Sequence, residues 1–363
     1  MLDLTDLKPI SAPIAWRGDE LKDRRDWIYL LSADEIAELE MAGRRFLDDD
    51  PDLRTVARQD YPLPVCAAGL LSWSRDMEQG RGFVLVRGLK TNHYSAALSA
   101  AIFFIVGLHL GQPMRQNELG DMVQHVIATT DKSYDDLGAS SLRVRDALNY
   151  HSDSSDLVSL MCLQPAKAGG ASSVISAATL YNEVLKRRPS LAPLMFEPWH
   201  NDWRRQDPDA PANTYTSPMI SIVDGVFSAY IGMKIIRSAQ RHPDVPRLTA
   251  AQFDLLDLLE EICAEPGIAL EMDFRPGDMQ WLLNYAALHN RTGFVDHLEP
   301  ELRRHLLRLW VKCDEPRPVV PYFGRHVVKS RQEVRGSEVA PDQQKFRIAQ
   351  AAVPRLNWGH GTD

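Results

Sequence analysis

The chain has 363 residues, which is enough for one elaborated domain or for two smaller ones. Its composition, 44% hydrophobic and 25% charged, is that of a globular protein and excludes a disordered or fibrous chain. The formal net charge of -8 disfavours nucleic acid and anionic membrane surfaces as partners, because a negative field repels phosphate groups.

The usual sequence signals for membrane insertion, export and disulfide bonding are also missing. The longest apolar run, residues 96–108, is shorter than the roughly 20 residues that a membrane-spanning helix needs. The first 16 residues contain Asp, Lys and Pro where a signal peptide would be apolar. The four cysteines show no CxxC spacing and are interpreted as reduced. We therefore expect a soluble, cytoplasmic protein, and a homo-oligomer is compatible with these features.

The first half of the chain predicts helices around one buried strand. A capping box at residues 32–35 predicts a helix that ends at the acidic cluster of residues 48–50. Residues 83–86 are apolar, β-branched and flanked by glycine, which is typical of a buried strand. Residues 96–110 predict a mostly buried helix, and the polar stretch 133–141 predicts a loop or a mobile lid.

The second half predicts more strands than helices. Extended structure is expected for residues 149–163 and for residues 173–176, and a helix follows at residues 177–186. Residues 197–217 are rich in Pro, Asp, Asn and Trp and predict a long loop that walls a pocket.

Beyond this loop, a second capping box starts another helix at residues 249–252. Residues 279–288 and 306–312 have the apolar content of strands. The tail beyond Pro316 has no firm pattern.

A metal site is indicated by one His-x-Asp pair. Residues two apart on a strand lie on the same face, so both side chains can contact one ion. Four histidines are followed two positions later by an acid, and three of these pairs lie beside proline or in irregular segments. His151 and Asp153 instead lie in predicted extended structure, and His289 lies near the end of a later predicted strand. Two imidazoles and one carboxylate leave coordination positions of Fe(II) open for a co-substrate and dioxygen.

Two arginines indicate an anionic ligand. If the strand predicted at residues 306–312 begins early enough to include Arg304, then Arg304 and Arg308 lie on the same face of it. Inward-facing guanidinium groups are costly to bury unless they meet anions, and carboxylates match their geometry. A dicarboxylate is therefore a natural partner for this face.

Five segments, in this order, resemble the taurine dioxygenase/TfdA family of Fe(II)- and 2-oxoglutarate-dependent oxygenases, within the clavaminate-synthase-like superfamily. The resemblance extends from Gly82 to Lys312. The segments are NYHSD at 149–153, LQPAKAGGAS at 163–172, PGD at 276–278, LHNRT at 288–292 and RHLLR at 304–308.

The resemblance implies a mainly β fold with flanking helices, the double-stranded β-helix or jelly roll. In this interpretation residues 1–80 form a mostly helical N-terminal extension packed on the core. Residues 81–315 form the jelly-roll oxygenase core, and residues 316–363 form a C-terminal tail.

The resemblance also implies roles for particular residues. His151, Asp153 and His289 would be the iron ligands. Arg304 would bind the distal carboxylate of 2-oxoglutarate, and Arg308 would bind the other end of 2-oxoglutarate or an anionic substrate.

Ser172 stands where the family places a hydroxyl on the distal carboxylate. The interval between Asp153 and Ser172 is short for the family, so Ser173 or Ser176 is an alternative donor. Arg303 is likewise an alternative to the neighbouring arginine, because a one-residue change of register exchanges their faces.

The implied reaction is the oxidation of a C–H bond, with conversion of 2-oxoglutarate and O2 to succinate and carbon dioxide. Hydroxylation is the default outcome, and desaturation, cyclisation and epoxidation stay open. Arg143 and Arg145, before the metal motif, favour a small carboxylate-bearing substrate such as an amino acid.

The alternative is a non-oxygenase jelly-roll protein, either a metal-dependent isomerase or hydrolase or a ligand-binding module. A zinc hydrolase has no need for paired inward arginines. Substrate choice would depend on the loops at 112–145, which include Gln116 and Asn117, and at 197–217.

Overall fold

The computed structural model describes residues 3–53, 55–116, 121–136, 139–204, 212–315 and 317–324. Most of the predicted tail and Asn117 lie outside these residues. Among the helices described, none is both long and apolar enough to cross a membrane.

Helices form where the sequence has caps and apolar periodicity. Ser32 accepts a hydrogen bond from the backbone N–H of Glu35 at the start of the helix Ala33–Asp49, and Thr249 caps the helix Ala250–Ala264 in the same way. The helix predicted at residues 96–110 has these bounds in the structure. The α-helices in the described residues are α1 (Gly18–Leu21), α2 (Ala33–Asp49), α3 (Ala67–Glu78), α4 (Ala96–Leu110), α5 (Ala177–Arg187), α6 (Met233–Ala239) and α7 (Ala250–Ala264).

The strands outnumber the helices, so the prediction of a mainly β fold with flanking helices is confirmed. They are β1 (Ile28–Leu30), β2 (Phe83–Arg87), β3 (Gln112–Met114), β4 (Val123–Val126), β5 (Leu148–His151), β6 (Leu157–Gln164), β7 (Ala168–Gly169), β8 (Ser172–Ser176), β9 (Trp199–Asp202), β10 (Thr214–Ser217), β11 (Ile220–Val223), β12 (Val226–Ala229), β13 (Leu270–Met272), β14 (Met279–Leu283), β15 (Ala287–Arg291), β16 (Phe294–Val295) and β17 (His305–Lys312).

A seven-stranded sheet forms one layer of the core. Its strand order is β1-β2-β14-β6-β17-β3, and β4 pairs with β17 as well. The outer face of β17 presents Leu307, Leu309 and Val311 to an apolar cluster that contains nearly all of α4. Gly107 of α4 allows this close packing, because a Cβ there would lie 2.4 Å from Leu309. The inner face of β17 carries Arg308 and Trp310.

A four-stranded sheet, in the order β13-β8-β15-β5, forms the second layer. Its outer residues, including Ile175 and Leu288, pack in one cluster with α5 and α7. Val174, on its inner face, packs instead against Phe83 and Trp310 of the larger sheet. His289 is paired with Val174 and therefore also faces the space between the two sheets.

Two predicted elements were wrong in extent. The predicted strand at residues 279–288 is two strands, β14 and β15, which lie in different sheets. The chain changes sheet at a turn in which Asn284 N–H donates to the carbonyl of Asp156. The mostly apolar composition of residues 279–288 concealed this turn, and the prediction did not use its one amide at the turn, Asn284.

The predicted loop at residues 197–217 contains the antiparallel hairpin of β9 and β10. Buried Trp199 and Tyr215 hold this hairpin against the core, which overrides its polar composition. The Pro- and Asp-rich stretch at 205–211 lies outside the described residues. Neither Trp199 nor Trp203 lines the cavity near the metal ligands.

The N-terminal residues contain α1 to α3, and β1 adds a parallel strand to β2 of the larger sheet. The division of the chain at residues 80 and 315 stays a prediction.

Candidate active site

Strand pairing brings the three predicted metal ligands together. His151 is the last residue of β5, and it is directly paired with His289 on β15. One potential ligand atom each of His151, Asp153 and His289 lies within 4.8 Å of the others. Asp153 is not on the strand as predicted but in the turn beyond it. The strand ends there because Ser152 N–H donates to the carbonyl of Ile231 instead of continuing the ladder.

The Asp153 carboxylate is held by one of its two oxygens. Arg308 donates a hydrogen bond to Oδ2 over 3.2 Å, and the Trp310 indole N–H donates to the same oxygen over 2.9 Å. The other oxygen, Oδ1, lies 3.7 Å from Nε2 of His151. Burial alone would raise the pKa of Asp153, but Arg308 and the two histidines hold that pKa well below its usual value. Asp153 is therefore an anion that can bind a cation through Oδ1.

The two histidines present lone pairs to the same point. Nδ1 of His151 lies 2.7 Å from the carbonyl oxygen of Asn149, so this nitrogen is the donor, and a neutral ring then has its lone pair on Nε2. Burial lowers the pKa of His289 to about 3, so its imidazole is neutral. Nε2 of His289 lies 4.0 Å from Oδ2 of Asp153. Among the described residues, Nδ1 of His289 has no hydrogen-bond partner.

Asn284 fixes the turn that carries Asp153. Its side-chain oxygen accepts the backbone N–H of Asp153 over 3.0 Å, and its amide nitrogen donates to the carbonyl of Ser155 over 2.9 Å. Asn284 is fully buried and lies between β14 and β15, the strand of His289. Sequence reasoning did not select this residue, although a lone amide in an apolar run was a signal.

Arg308 lies at the ligand cluster with a fixed orientation. Its Nε donates to the side-chain oxygen of Gln116 over 2.8 Å, and NH2 lies 3.5 Å from that of Gln124. Its guanidinium also lies 4.5 Å from the centroid of the Trp310 ring. The structure thus places Arg308 next to Asp153. The sequence analysis predicted that this arginine faces inward.

Arg304 is placed away from the cavity, in a second cationic region. It is only 3% exposed, and its NH2 lies 3.4 Å from the carbonyl oxygen of Gly170. Arg291 is equally buried, and both guanidiniums lie over the ring of Phe294, at 4.9 Å for Arg291 and 5.2 Å for Arg304. Burial lowers the pKa of Arg304 to about 10 and that of Arg291 to about 9. Arg303 is more exposed and donates to the carbonyl of Leu298.

Arg291 is a site residue that sequence reasoning quoted within a motif without giving it a role. Its NH2 donates to the carbonyls of Val144 and Asp146, over 2.9 Å and 2.5 Å. These bonds attach β15 to the segment that leads into β5. Nε of Arg291 has no hydrogen-bond partner among the described residues.

Ser172 lies opposite Arg291 on the inner face of the smaller sheet. The two alternative serines have other functions. Ser173 bonds to Tyr150 and Asn290 on the outer face, and Ser176 caps α5 by accepting the N–H of Thr179. Ser172 is also buried, with 3% of its surface exposed.

A cavity of about 400 Å³ opens beside the metal ligands. Its lining includes His151, Asp153, Arg308, Tyr230, Lys234 and Ile235, whereas Ser172 and Arg304 do not line it.

Tyr134, from the predicted loop, also lines the cavity. Its ring lies between Lys234, at 4.3 Å, and Arg204, at 5.0 Å. The described part of residues 133–141 is indeed irregular, and these contacts hold it over the cavity. Arg145 does not line the cavity but pairs with Asp131 at 2.6 Å.

Two histidines and one carboxylate between two sheets form the ligand set of non-haem iron oxygenases. Residues 51–310 match the family described as "Taurine catabolism dioxygenase TauD, TfdA family". The chain belongs to this family, and the predicted family and its enzymatic class, a dioxygenase, are confirmed.

Two curated relatives align over most of the chain. FR-33289 synthase of Streptomyces rubellomurinus (strain ATCC 31215) is 28% identical over 330 residues, covering 88% of this chain and 95% of the relative. The taurine hydroxylase-like protein SAT17 of Stachybotrys chartarum (strain CBS 109288 / IBT 7711) is 27% identical over 318 residues, covering 84% and 80% respectively.

Solved structures share the fold. Asparagine oxygenase in complex with Fe(II), 2S,3S-3-hydroxyasparagine and succinate superposes with a TM-score of 0.62 at 15% identity, covering 79% of this chain and 93% of the other. The non-heme iron oxygenase OrfP in complex with Fe and alpha-ketoglutaric acid gives a TM-score of 0.61 at 14% identity, covering 79% and 94%.

Proposed function

We propose that this protein is an Fe(II)- and 2-oxoglutarate-dependent dioxygenase that oxidises a C–H bond of a small carboxylate-bearing metabolite, such as an amino acid. The observation that carries the proposal is the convergence of His151, Asp153 and His289 beside a cavity that also contains Arg308. Hydroxylation is the expected outcome, with release of succinate and carbon dioxide.

We also infer that the core is a jelly roll. Eight strands of the two sheets follow one another in the chain as β4, β5, β6, β8, β13, β14, β15 and β17. Apart from β8 and β13, which are consecutive in the smaller sheet, each step crosses from one sheet to the other. This alternation supports a double-stranded β-helix, in which the ligands lie between the layers.

The three ligand residues fit Fe(II). Oδ1 of Asp153 is left for a cation because both N–H donors bond to Oδ2. His289 is buried and neutral, and a neutral imidazole is the form that binds a metal. Bound iron, chelated by 2-oxoglutarate, would supply the activation of dioxygen that this family uses. Arg308, Trp310 and Asn284 would hold Asp153 in the ligating position.

The buried arginines support a site for the distal carboxylate of 2-oxoglutarate. The guanidiniums of Arg304 and Arg291 lie over one aromatic ring and burial lowers both of their pKa values, so a bound carboxylate would stabilise the charged form of each. We assign Arg304 as the main partner of this carboxylate, and Ser172 as a hydroxyl donor. Arg291 faces the same region.

The size and lining of the cavity support the proposal that the substrate is small and has an anionic group. Arg308 lines the cavity beside the ligand cluster, where the positive charge of its guanidinium can attract and orient a carboxylate. A volume of about 400 Å³ suits an amino acid or a molecule of similar size. Two relatives of this fold, asparagine oxygenase and OrfP, have been solved with hydroxylated amino acids.

The test is succinate formation by the purified protein with Fe(II), 2-oxoglutarate and ascorbate in air. A panel of L-amino acids and other small carboxylates is added, and products are analysed by mass spectrometry. We expect slow succinate formation without substrate and a stimulated rate with the correct substrate, whose product gains one oxygen atom.

Two controls make this test specific. His289→Ala should abolish succinate formation, whereas His297→Ala, at another histidine followed by an acid, should not. Turnover with zinc in the absence of oxygen, or no 2-oxoglutarate-dependent succinate at all, would instead support a hydrolase, an isomerase or a binding module.

A further inference from the structure

The short segment of residues 317–324 lies beyond the family match, which ends at residue 310. It has no helix or strand, yet it is firmly attached to the β10–β12 region. Arg317 donates to the hydroxyl of Ser228 over 2.9 Å. The backbone N–H of Val320 donates to Ser221 over 2.9 Å, and a third bond joins Gly324 N–H to Ser217 over 2.8 Å.

Phe323 is the apolar anchor of this segment. It is 2% exposed, and its ring lies 6.4 Å from that of Tyr230 and 6.0 Å from that of Tyr285. The same apolar cluster includes Ile235. Two residues of this cluster, Tyr230 and Ile235, also line the cavity beside the metal ligands.

Both aromatic partners of Phe323 contact the turn that carries Asp153. The hydroxyl of Tyr230 lies 3.5 Å from that of Ser154, and the hydroxyl of Tyr285 donates to Asp156 over 2.6 Å. The segment therefore packs on the two tyrosines that contact the chain on the C-terminal side of the carboxylate ligand.

We propose that Phe323 supports the wall of the substrate cavity from behind and is thereby a positioning residue for the prime substrate. It acts through Tyr230 and Ile235, which line the cavity together with Arg308. The substrate class that fits this lining has an anionic group near Arg308 and a less polar portion in contact with Tyr230 and Ile235. The substrate part of this inference rests on the proposed function, whereas the packing part does not.

The test compares Phe323→Ala with Tyr322→Ala, a matched control in the same segment whose side chain is 75% exposed. With the substrate found above, Phe323→Ala should raise KM roughly tenfold, because misplacing a cavity wall weakens substrate positioning. It should also increase the succinate formed per product, while the KM for 2-oxoglutarate stays within about twofold of wild type. Phe323→Leu, which keeps an apolar side chain, should restore most of the affinity. Tyr322→Ala should behave as wild type.

Amide hydrogen exchange supplies a readout that needs no substrate. Phe323→Ala should accelerate exchange in residues 152–156 and 227–231 as well as in the segment itself, whereas Tyr322→Ala should not. Faster exchange confined to residues 317–324, or an unchanged substrate KM, would overturn the proposal. Absence of 2-oxoglutarate turnover in the wild type would contradict the proposed function instead, and the exchange result would still decide whether Phe323 supports the cavity wall.

Discussion

Trp310 and Asp153 are joined by a hydrogen bond of 2.9 Å from the indole N–H to Oδ2. Trp310 lies on the inner face of the larger sheet, and Asp153 follows a strand of the smaller sheet. This bond therefore fixes the carboxylate across the gap between the two layers. It also selects which carboxylate oxygen is left to bind a metal.

Replacing Trp310 with Phe should weaken metal binding without disrupting the fold. The substitution keeps an aromatic ring and removes only the N–H donor, and loss of such an outer partner typically lowers metal affinity about 10- to 100-fold. Titration of the metal-free protein with Fe(II) under nitrogen measures the change. Trp281→Phe is the control, because the indole N–H of Trp281 is buried with no hydrogen-bond partner among the described residues. Equal affinities for both variants would show that the Trp310 bond is unimportant.

Arg304→Ala should raise the KM for 2-oxoglutarate at least tenfold. A guanidinium–carboxylate contact in a buried site contributes about 1.5 to 3 kcal/mol, and about 1.4 kcal/mol corresponds to a tenfold change. Steady-state succinate assays at several 2-oxoglutarate concentrations measure it. Arg303→Ala should leave this KM nearly unchanged, because the Arg303 side chain bonds to the carbonyl of Leu298 near the surface. The reverse result would assign the carboxylate to Arg303.

Asn284→Ala should reduce both stability and metal affinity. It leaves the buried N–H of Asp153 and the carbonyl of Ser155 without their partner, which costs about 1 to 3 kcal/mol. Urea unfolding and Fe(II) titration measure the two effects separately. Asn182→Ala is the matched control, because Asn182 makes two similar bonds to the backbone of Ile10. That variant should lose stability but keep its metal affinity.

The sequence was informative where local chemistry decides structure. The caps at Ser32 and Thr249 and the apolar content of α4 predicted three helices, because these signals act within a few residues. The proximity of His151, Asp153 and His289 was predictable because the His-x-Asp spacing and the later histidine accompany other family motifs in order.

Long-range packing explains what the sequence did not predict. Asp153 lies beyond its strand because Ser152 is bonded to Ile231, a residue nearly 80 positions later. The segment that begins at Trp199 is a strand only because it pairs with the segment that ends at Ser217. Asn284 holds the turn of Asp153, and Arg291 attaches β15 to the segment before β5. Both residues do so through hydrogen bonds to segments more than 120 residues away, and no local sequence pattern specifies such bonds.

A pair of buried histidines makes the core sensitive to acid. Nδ1 of His125 lies 2.6 Å from Nε2 of His305, between strands β4 and β17. Burial, with the nearby positive charge of Arg143, lowers the pKa of His305 to about 3 and that of His125 to about 2. Both rings are therefore neutral in the folded protein at any pH near neutrality.

The free energy of unfolding should fall as the pH is lowered from 7.5 to 5.5. Unfolded histidines bind protons below a pKa of about 6.5, whereas His125 and His305 in the folded protein do not, so acid favours the unfolded chain by about 1.4 kcal/mol for each ring at pH 5.5. This stability is complete above pH 6.5 and is lost progressively below it. Urea unfolding at both pH values measures the difference for the wild type, for His305→Gln and for the exposed-site control His93→Gln. His305→Gln should have a smaller pH-dependent loss than the control, and identical losses would mean that His305 is protonated in the folded state.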